Sequence, residues 1–225
     1  MENKAIFAKN ILKKYNSQFT LNVDEFFATY GKVYGFYGPN GSGKTTFMKI
    51  LSLIIPADSG DIYINNKKAD MDAVEIKRKL SFLFQEPKLL RRSIKGNLIY
   101  PLKIRNEKIS IKKIEEMLEK LDIQPDNFLN KKPWELSGGE KKRVSLAQKL
   151  IFDPEIIFLD EPTANIDEKS VAIISDIVED LKMRQKCVIV SSHDYEWLSK
   201  VADELYFTKK GVLAKGEKDT TLLSY

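Results

Sequence analysis

Cysteine and histidine are almost missing from this sequence of 225 residues. It has a single cysteine, Cys187, and a single histidine, His193. One cysteine excludes an intramolecular disulfide bond. Because Cys187 opens the apolar run 187–190, we expect a buried thiol in a strand and a reducing compartment.

Long apolar runs, internal repeats and low-complexity linkers are also lacking. No run reaches the roughly 18 apolar residues that suggest a membrane-spanning helix, and the residues after Met1 lack the apolar core of a signal peptide. We therefore expect a cytosolic protein whose membrane role, if it has one, comes through a partner. The net charge of +5, from 37 basic and 32 acidic residues, is mild and fits a ligand that is a polyanion or a site near an anionic membrane surface.

Short apolar runs that alternate with helical patterns dominate the rest of the chain. Buried strands are predicted at 33–37, 80–84, 156–159 and 188–191, and a helix is predicted from about Lys44 to Leu53. Strands of this kind that alternate with helices indicate a mainly parallel sheet covered on both faces.

Two regions depart from that alternation. Residues 1–31 and about 60–70 have β character with turns at Asn16-Ser17 and Asn65-Asn66, which predicts a small antiparallel sheet. Residues from about 87 to 135 are nearly free of strand signals. Within them, 111–121 carries apolar residues at helical spacing, which predicts a helical subdomain inserted into the α/β core.

The most specific motif is G-P-N-G-S-G-K-T at residues 38–45, which fits G-x-x-x-x-G-K followed by Ser or Thr, between a predicted strand and a predicted helix. Glycines let successive backbone N–H groups point at phosphates, and the helix N-terminus adds a positive dipole. Lys44 can reach the β- and γ-phosphates, and the Thr45 hydroxyl can bind Mg²⁺. The alternative is a turn followed by a capped helix. The residues predicted to bind ATP here are Gly38, Pro39, Asn40, Gly41, Ser42, Gly43, Lys44, Thr45 and Thr46.

Two adjacent carboxylates, Asp160 and Glu161, follow the buried strand 156–159. Ligands bind beyond the carboxyl ends of parallel strands, so Asp160 would hold Mg²⁺ and Glu161 would polarise the attacking water. A solvated loop is the alternative for such a pair on its own. The presence of the phosphate-binding motif favours the catalytic interpretation.

The segment Leu136–Glu140, L-S-G-G-E, has two interpretations that are compatible. Ser137 and Glu140 form a capping box that opens a helix running to about Phe152. Gly138 and Gly139 cost stability in a first helical turn, which makes sense if the backbone must approach another group closely, such as a phosphate.

These three motifs, in this order, resemble the ATP-binding cassette (ABC) ATPases over essentially the whole chain. The resemblance implies a single ABC ATPase domain spanning 1–225, with a P-loop NTPase core, a small antiparallel β subdomain and a helical subdomain at about 87–135. It further implies that Tyr15 stacks on adenine, that Gln85 contacts Mg²⁺ and the water, that Asp167 belongs to the D-loop, and that His193 contacts the γ-phosphate. Without the resemblance, Tyr15 would be taken as a core or rim residue, and His193 as a surface or core residue.

The same resemblance implies a mechanism and a set of partners. Two copies of the chain form a homodimer over two ATP molecules, and each ATP also meets Ser137, Gly138, Gly139 and Glu140 of the other copy. Closure is passed to integral membrane permease subunits through the groove beside Gln85, so that the protein is cytoplasmic and peripheral on the inner face of the membrane. ATP and Mg²⁺ are the expected cofactors, and no nucleic acid is expected as a partner.

A soluble ABC ATPase that acts on nucleic acid or ribosomes is the rival class. Such proteins usually carry two cassettes, coiled coils or zinc insertions, which this chain lacks. Co-purification with a membrane protein, as against ribosomes or DNA, distinguishes the two classes.

Import is favoured over export, also by resemblance. Residues 89–105 and the string D-E-P-T-A-N-I-D at 160–167 resemble ATPases of tungstate or molybdate importers, which work with an extracytoplasmic solute-binding protein. No added C-terminal regulatory domain is expected, since the chain stops at 225. Phosphate, amino acids and other small solutes remain alternatives.

Overall fold

The computed structural model describes residues 4–15 and 19–216. In this part of the chain, ten strands form one sheet in the order β5-β4-β1-β2-β10-β9-β3-β8-β7-β6. The strands are β1 (Lys4–Lys14), β2 (Thr20–Thr29), β3 (Lys32–Tyr37), β4 (Ser59–Ile64), β5 (Lys67–Lys68), β6 (Leu80–Leu83), β7 (Ile156–Asp160), β8 (Cys187–Ser192), β9 (Glu204–Lys209) and β10 (Val212–Gly216).

The strands β9, β3, β8, β7 and β6 lie side by side and run parallel. Four of them, β3, β6, β7 and β8, are the strands predicted from continuous apolar runs, so the predicted α/β class with a mainly parallel core is confirmed. The sequence interpretation missed β9, which contains both buried and exposed residues and pairs with β3 at the edge of the predicted set.

The antiparallel part contains β1, β2, β4 and β5. Asn65 and Asn66, at the predicted turn between β4 and β5, have φ of 52° and 60°, which asparagine tolerates better than most residues. The other predicted turn, Asn16-Ser17, lies outside the described residues. The antiparallel strands do not form a separate sheet, because β10 pairs with β2 at Val212–Asn22 and with β9 along its length.

Helices cover both faces of the parallel strands. They are α1 (Lys44–Leu51), α2 (Val74–Lys77), α3 (Ile94–Lys103), α4 (Ile111–Glu119), α5 (Pro125–Phe128), α6 (Gly138–Leu150), α7 (Glu168–Met183) and α8 (Tyr195–Val201). Because side chains alternate along a strand, Val33 and Val188 pack towards the core formed with α6, α7 and α8. Tyr34 and Ile189 belong to the opposite core, which is formed with α1, β1 and β2.

Residues 87–135 contain α3, α4, α5 and a 3-10 turn at Pro133–Glu135, and no strand. In α4 and just after it, Ile114, Leu118 and Leu121 are buried and join the core of α6 and α7, as the helical spacing predicts. Ile111 is exposed. That this region forms a subdomain of its own stays a prediction.

Two further expectations concern the membrane and the thiol. No helix in residues 4–15 and 19–216 is both long and apolar enough to cross a membrane. Cys187 is buried in β8 as predicted, and its burial raises the pKa of the thiol.

Candidate functional site

The loop 38–43 joins β3 to α1 and has a backbone that side chains would obstruct. A Cβ at Gly38 would lie 2.2 Å from the carbonyl oxygen of Thr208. Gly41 and Gly43 have φ of 76° and 111°, a region that favours glycine. The glycines of the motif are therefore required by the backbone path, and the loop ends at the N-terminus of α1, where N–H groups are free to meet an anion.

Two side chains, Ser42 in this loop and Lys44 at the start of α1, have polar groups that can bind an anion. The Ser42 hydroxyl is buried and has no hydrogen-bond partner among the described residues. The Lys44 ammonium donates to the carbonyl oxygens of Gly38 at 2.6 Å and Pro39 at 3.2 Å. Burial lowers the pKa of Lys44, while Glu161 and Asp160 act in the opposite direction. A buried hydroxyl and a desolvated cation are groups that a phosphate would satisfy.

Asp160 ends β7 inside the molecule, where three polar groups meet. The Thr45 hydroxyl lies 2.8 and 2.9 Å from its two carboxylate oxygens, and the Ser191 hydroxyl donates to it at 2.7 Å. Ser191 is brought there by the parallel pairing of β7 with β8, in which Asp160 faces Ser191. Sequence reasoning missed Ser191, although a polar residue at the carboxyl end of a buried strand was the available signal.

Glu161 is held in an unusual conformation next to His193. Its φ is 49°, which is uncommon for a residue with a side chain, and its backbone N–H donates to the Ser191 carbonyl at 3.1 Å. The carboxylate lies 2.8 Å from Nδ1 of His193 and accepts a bond from the His193 N–H at 3.3 Å. The histidine side chain remains 63% exposed, so its other ring nitrogen can reach a ligand.

These elements border a cavity of about 470 Å³. Tyr15 and Phe19 stand at one side of it, with ring centroids 6.3 Å apart and planes at 48°. Phe19 was not predicted, although an aromatic residue four positions after Tyr15, just before β2, was the signal. The lining residues are Tyr15, Phe19, Asn40, Gly41, Ser42, Gly43, Lys44, Thr45, Thr46, Gln85 and Glu161.

The other predicted residues are not in the described lining of this cavity. Gly38, Pro39, Asp160 and His193 are hydrogen-bonded to residues that do line it, namely Lys44, Thr45 and Glu161. Ser137, Gly138, Gly139 and Glu140 are not in the part of its lining that the structure describes. One chain thus brings together most of the predicted ATP site and leaves out the L-S-G-G-E segment.

That segment opens α6 as a capping box. Glu140 N–H donates to the Ser137 hydroxyl at 3.3 Å, and the Glu140 carboxylate accepts from Ser137 N–H at 2.8 Å. The two glycines of the segment have different surroundings. A Cβ at Gly139 would lie 2.9 Å from both Asp167 and Ser170 side-chain oxygens, whereas one at Gly138 would meet nothing within 4 Å. Packing inside the chain therefore explains Gly139, and Gly138 is open to an approaching group.

Asp167, predicted in the D-loop, caps the N-terminus of α7. Its carboxylate accepts from the Ser170 N–H and hydroxyl, both at 2.9 Å, and these bonds lower the pKa of Asp167. Arg143 of α6 donates to the same Ser170 hydroxyl. Asp167 therefore caps α7, Ser170 links α7 to Arg143 of α6, and a contact of Asp167 with another chain stays a prediction.

A family model described as ABC transporter matches residues 21–164. The chain belongs to the ABC transporter family. It is an ATP-binding subunit of that family and an ATPase. The family match and the loop, carboxylate and L-S-G-G-E motifs agree in this assignment.

Two curated relatives of the ABC ATPase differ in how much of their length the match covers. The tungstate uptake system ATP-binding protein TupC of Peptoclostridium acidaminophilum is 34% identical over 217 residues, which cover 95% of this chain and 98% of the relative. The phosphate import ATP-binding protein PstB of Saccharolobus solfataricus is 32% identical over 196 residues, covering 81% and 76%.

A solved structure also superposes closely on the ABC ATPase. The ATP-binding cassette MJ0796, captured as a dimer in a post-hydrolysis state with ADP and Pi, has a TM-score of 0.85 at 28% identity. The superposition covers 95% of this chain and 99% of that one.

Proposed function

We propose that this ABC ATPase drives the import of a tetrahedral oxyanion, tungstate or molybdate, across a membrane. The observation that supports it is the match to the tungstate uptake ATPase, which is 34% identical over 95% of this chain and 98% of the relative. A match that spans nearly all of both sequences supports a shared role. Residues of the cassette face ATP and its partners, however, so they record ancestry and do not select the solute.

Phosphate import is the second candidate. The phosphate import ATPase is 32% identical, but the match covers 76% of that relative. Phosphate is also a tetrahedral oxyanion, so the two candidates share the chemistry of the solute. A solute-binding protein outside the membrane would carry the selectivity in either case.

The working unit in this proposal is a homodimer of the chain. The support is that Ser137 and Gly138 are exposed on this chain and lie away from its own cavity, whereas the superposed MJ0796 cassette was solved as a dimer. In the dimer, the start of α6 of one copy meets the ATP held by the other. Each site then needs both copies, which couples hydrolysis to closure.

Within one copy, the loop 38–45 binds the phosphates and Tyr15 stacks on the base, with Phe19 beside it. The residues fit a magnesium ion, because the oxygens of Thr45 and Asp160 lie together and Mg²⁺ prefers oxygen ligands. Thr45, Gln85 and Asp160 would hold it, and it would supply positive charge to the β- and γ-phosphates when bound. Lys44 turns from the loop carbonyls to the phosphates and neutralises charge that develops on them.

Glu161 is the residue that acts on water. Its carboxylate lines the cavity, and it accepts the proton of the water that attacks the γ-phosphate. The bond from His193 Nδ1 holds the carboxylate in place, and the exposed side of the imidazole contacts the γ-phosphate. Catalysis is then mostly positioning and charge neutralisation, as in phosphoryl transfer generally.

A second groove is the proposed docking site of the permease. It measures about 290 Å³ and lies between β6, α3 and α6. Its apolar residues include Leu90, Tyr100 and Ile104, which are exposed, and its charged lining residues are Lys88, Arg105 and Lys149. Charge complementarity favours an apolar segment with an acidic residue. Docking there would hold the protein at the inner face of the membrane.

His193→Ala is expected to lower turnover about a hundredfold, since Glu161 loses the group that orients it. The melting temperature should stay within about 2 °C, because the ring is mostly exposed and gives little packing. Steady-state ATPase assays and a thermal scan of the same preparations check both parts. A histidine with a structural role only would give the reverse result, a lower melting temperature with near-normal activity per folded molecule.

Deletion of the gene should abolish uptake of labelled tungstate or molybdate, and the wild-type gene should restore it. A gene that carries Glu161→Gln is the matched control, because its product folds but does not turn over, and it should not restore uptake. Phosphate uptake is measured in the same cells. Unchanged uptake of tungstate and molybdate, with a phosphate defect, would replace the proposed solute by phosphate and leave the ATPase assignment intact.

A further inference from the structure

A buried lysine on α6 contacts the backbone of the segment that carries Gln85. Lys142 is 2% exposed, and its ammonium donates to the Gln85 carbonyl oxygen at 2.5 Å. Lys142 belongs to none of the three motifs. It lies in the second turn of α6, the helix that begins with the L-S-G-G-E segment.

The segment that receives this bond has no regular structure of its own. Residues 84–93 follow β6 and precede α3 without forming a helix or strand. Their backbone is held from two sides. Lys142 binds the Gln85 carbonyl, and the buried Asn97 side chain binds both the N–H and the carbonyl of Leu90, at 2.7 and 3.1 Å.

The burial of Lys142 is costly, which argues that the contact has a role. An ammonium taken out of water loses hydration, and desolvation lowers the pKa of Lys142 while Asp160 and Glu161 act in the opposite direction. A methionine of similar length would fill the same space without this cost. The ammonium therefore does not serve packing alone.

We infer that Lys142 is a positioning residue that holds Gln85 at the ATP cavity and ties it to the start of α6. The inference rests on the proposed dimer, in which α6 meets the ATP of the other copy. Lys142 then connects a residue at one ATP site with a helix whose start contributes to the other ATP site. Gln85 lines the cavity of its own chain, and Ser137 at the other end of the same helix segment faces the partner's ATP. A shift of α6 moves the Gln85 backbone with it.

Hydrogen exchange of the nucleotide-free full chain tests the tether directly. Lys142→Met should speed exchange of peptides from 84–93 about tenfold, the effect expected when a hydrogen bond to a charged group is lost. Peptides of the loop 38–45 should not change. Lys141→Met is the matched control on the neighbouring position and should leave both regions as in wild type. Lys142→Arg keeps a cationic donor and should retain most of the protection. Lys142→Ala, which also removes the ammonium, replaces Lys142→Met if that variant does not fold.

A double-mutant cycle with Gln85→Ala separates positioning from stability. If Lys142 acts through Gln85, Lys142→Met should lower kcat in wild type and cause no further loss in the Gln85→Ala background, with ATP affinity in the absence of metal unchanged. Unchanged exchange of 84–93, or additive losses of kcat, would overturn the inference. A failed dimer is a different result, because it would show in Glu161→Gln on size exclusion while the exchange effect remained.

Discussion

Glu161→Gln is expected to bind ATP with near-wild-type affinity and to lose hydrolysis by two to four orders of magnitude. A positioned general base contributes about 10²–10⁴-fold to rate, and the amide keeps the shape of the side chain while it cannot take the proton from water. ATP binding should persist, because the loop 38–45 and Tyr15 are untouched. The measurements are ATP binding by titration and phosphate release at saturating ATP.

The same variant tests the dimer. Because ATP is no longer consumed, the closed pair of chains should accumulate and elute as a dimer on size exclusion with ATP and Mg²⁺, and as a monomer without ATP. Glu196→Gln is the control, since this carboxylate is on the exposed side of α8 and its removal should change neither elution nor turnover. A Glu161→Gln variant that stays monomeric with ATP, while wild type dimerises, would contradict the shared site.

The parallel core was predictable because its strands are buried on both faces. The four predicted strands are continuous apolar runs, which neither a surface helix nor a loop produces. β9 has the sequence E-L-Y-F-T-K, in which buried residues are mixed with exposed ones, so it gives a weaker signal and was missed. β10 is mostly exposed and is placed by its hairpin pairing with β9 across Lys210 and Gly211. The glycine of this two-residue turn was the available signal.

That the predicted site residues lie near one another follows from the topology of the parallel sheet. Residues that follow β3, β6, β7 and β8 all meet at the carboxyl edge of the sheet, so Lys44, Gln85, Asp160 and His193 had to lie near one another. Their individual hydrogen bonds were not predictable. The support of Asp160 by Ser191 depends on strand register, and the tether from Lys142 depends on how α6 packs against the end of β6.

The L-S-G-G-E segment was predictable only in part. Its capping box follows from the spacing of Ser137 and Glu140, and the structure contains it. The need for Gly139 comes from the side chains of α7, and that contact has no signature in the segment itself. A Cβ at Gly138 would meet no described atom within 4 Å, so packing among the described residues does not account for this glycine.

Lys44→Ala should reduce ATP hydrolysis about 10²–10³-fold below wild type and weaken ATP binding. The ammonium is the cation of the phosphate loop, and removal of one preorganised charge-stabilising group costs about 10²–10³ in rate. The loss of the charge-assisted bonds to the β- and γ-phosphates adds a loss of affinity. Phosphate release and ATP titration measure the two effects.

The fold should survive Lys44→Ala, because the lysine does not stabilise it. Burial lowers the pKa of Lys44, which means that the folded protein disfavours the charge, so the loss of its two hydrogen bonds to loop carbonyls is offset by the loss of this desolvation cost. The melting temperature without ATP should therefore stay near the wild-type value, and the stabilisation that ATP gives to wild type should shrink. Lys49→Ala is the matched control, since Lys49 lies on the same helix, outside the cavity lining, and should keep activity and the ATP-induced shift. Near-normal turnover in Lys44→Ala would show that the loop 38–45 does not bind the transferred phosphate, whereas a large fall in melting temperature without ATP would show that the lysine is structural.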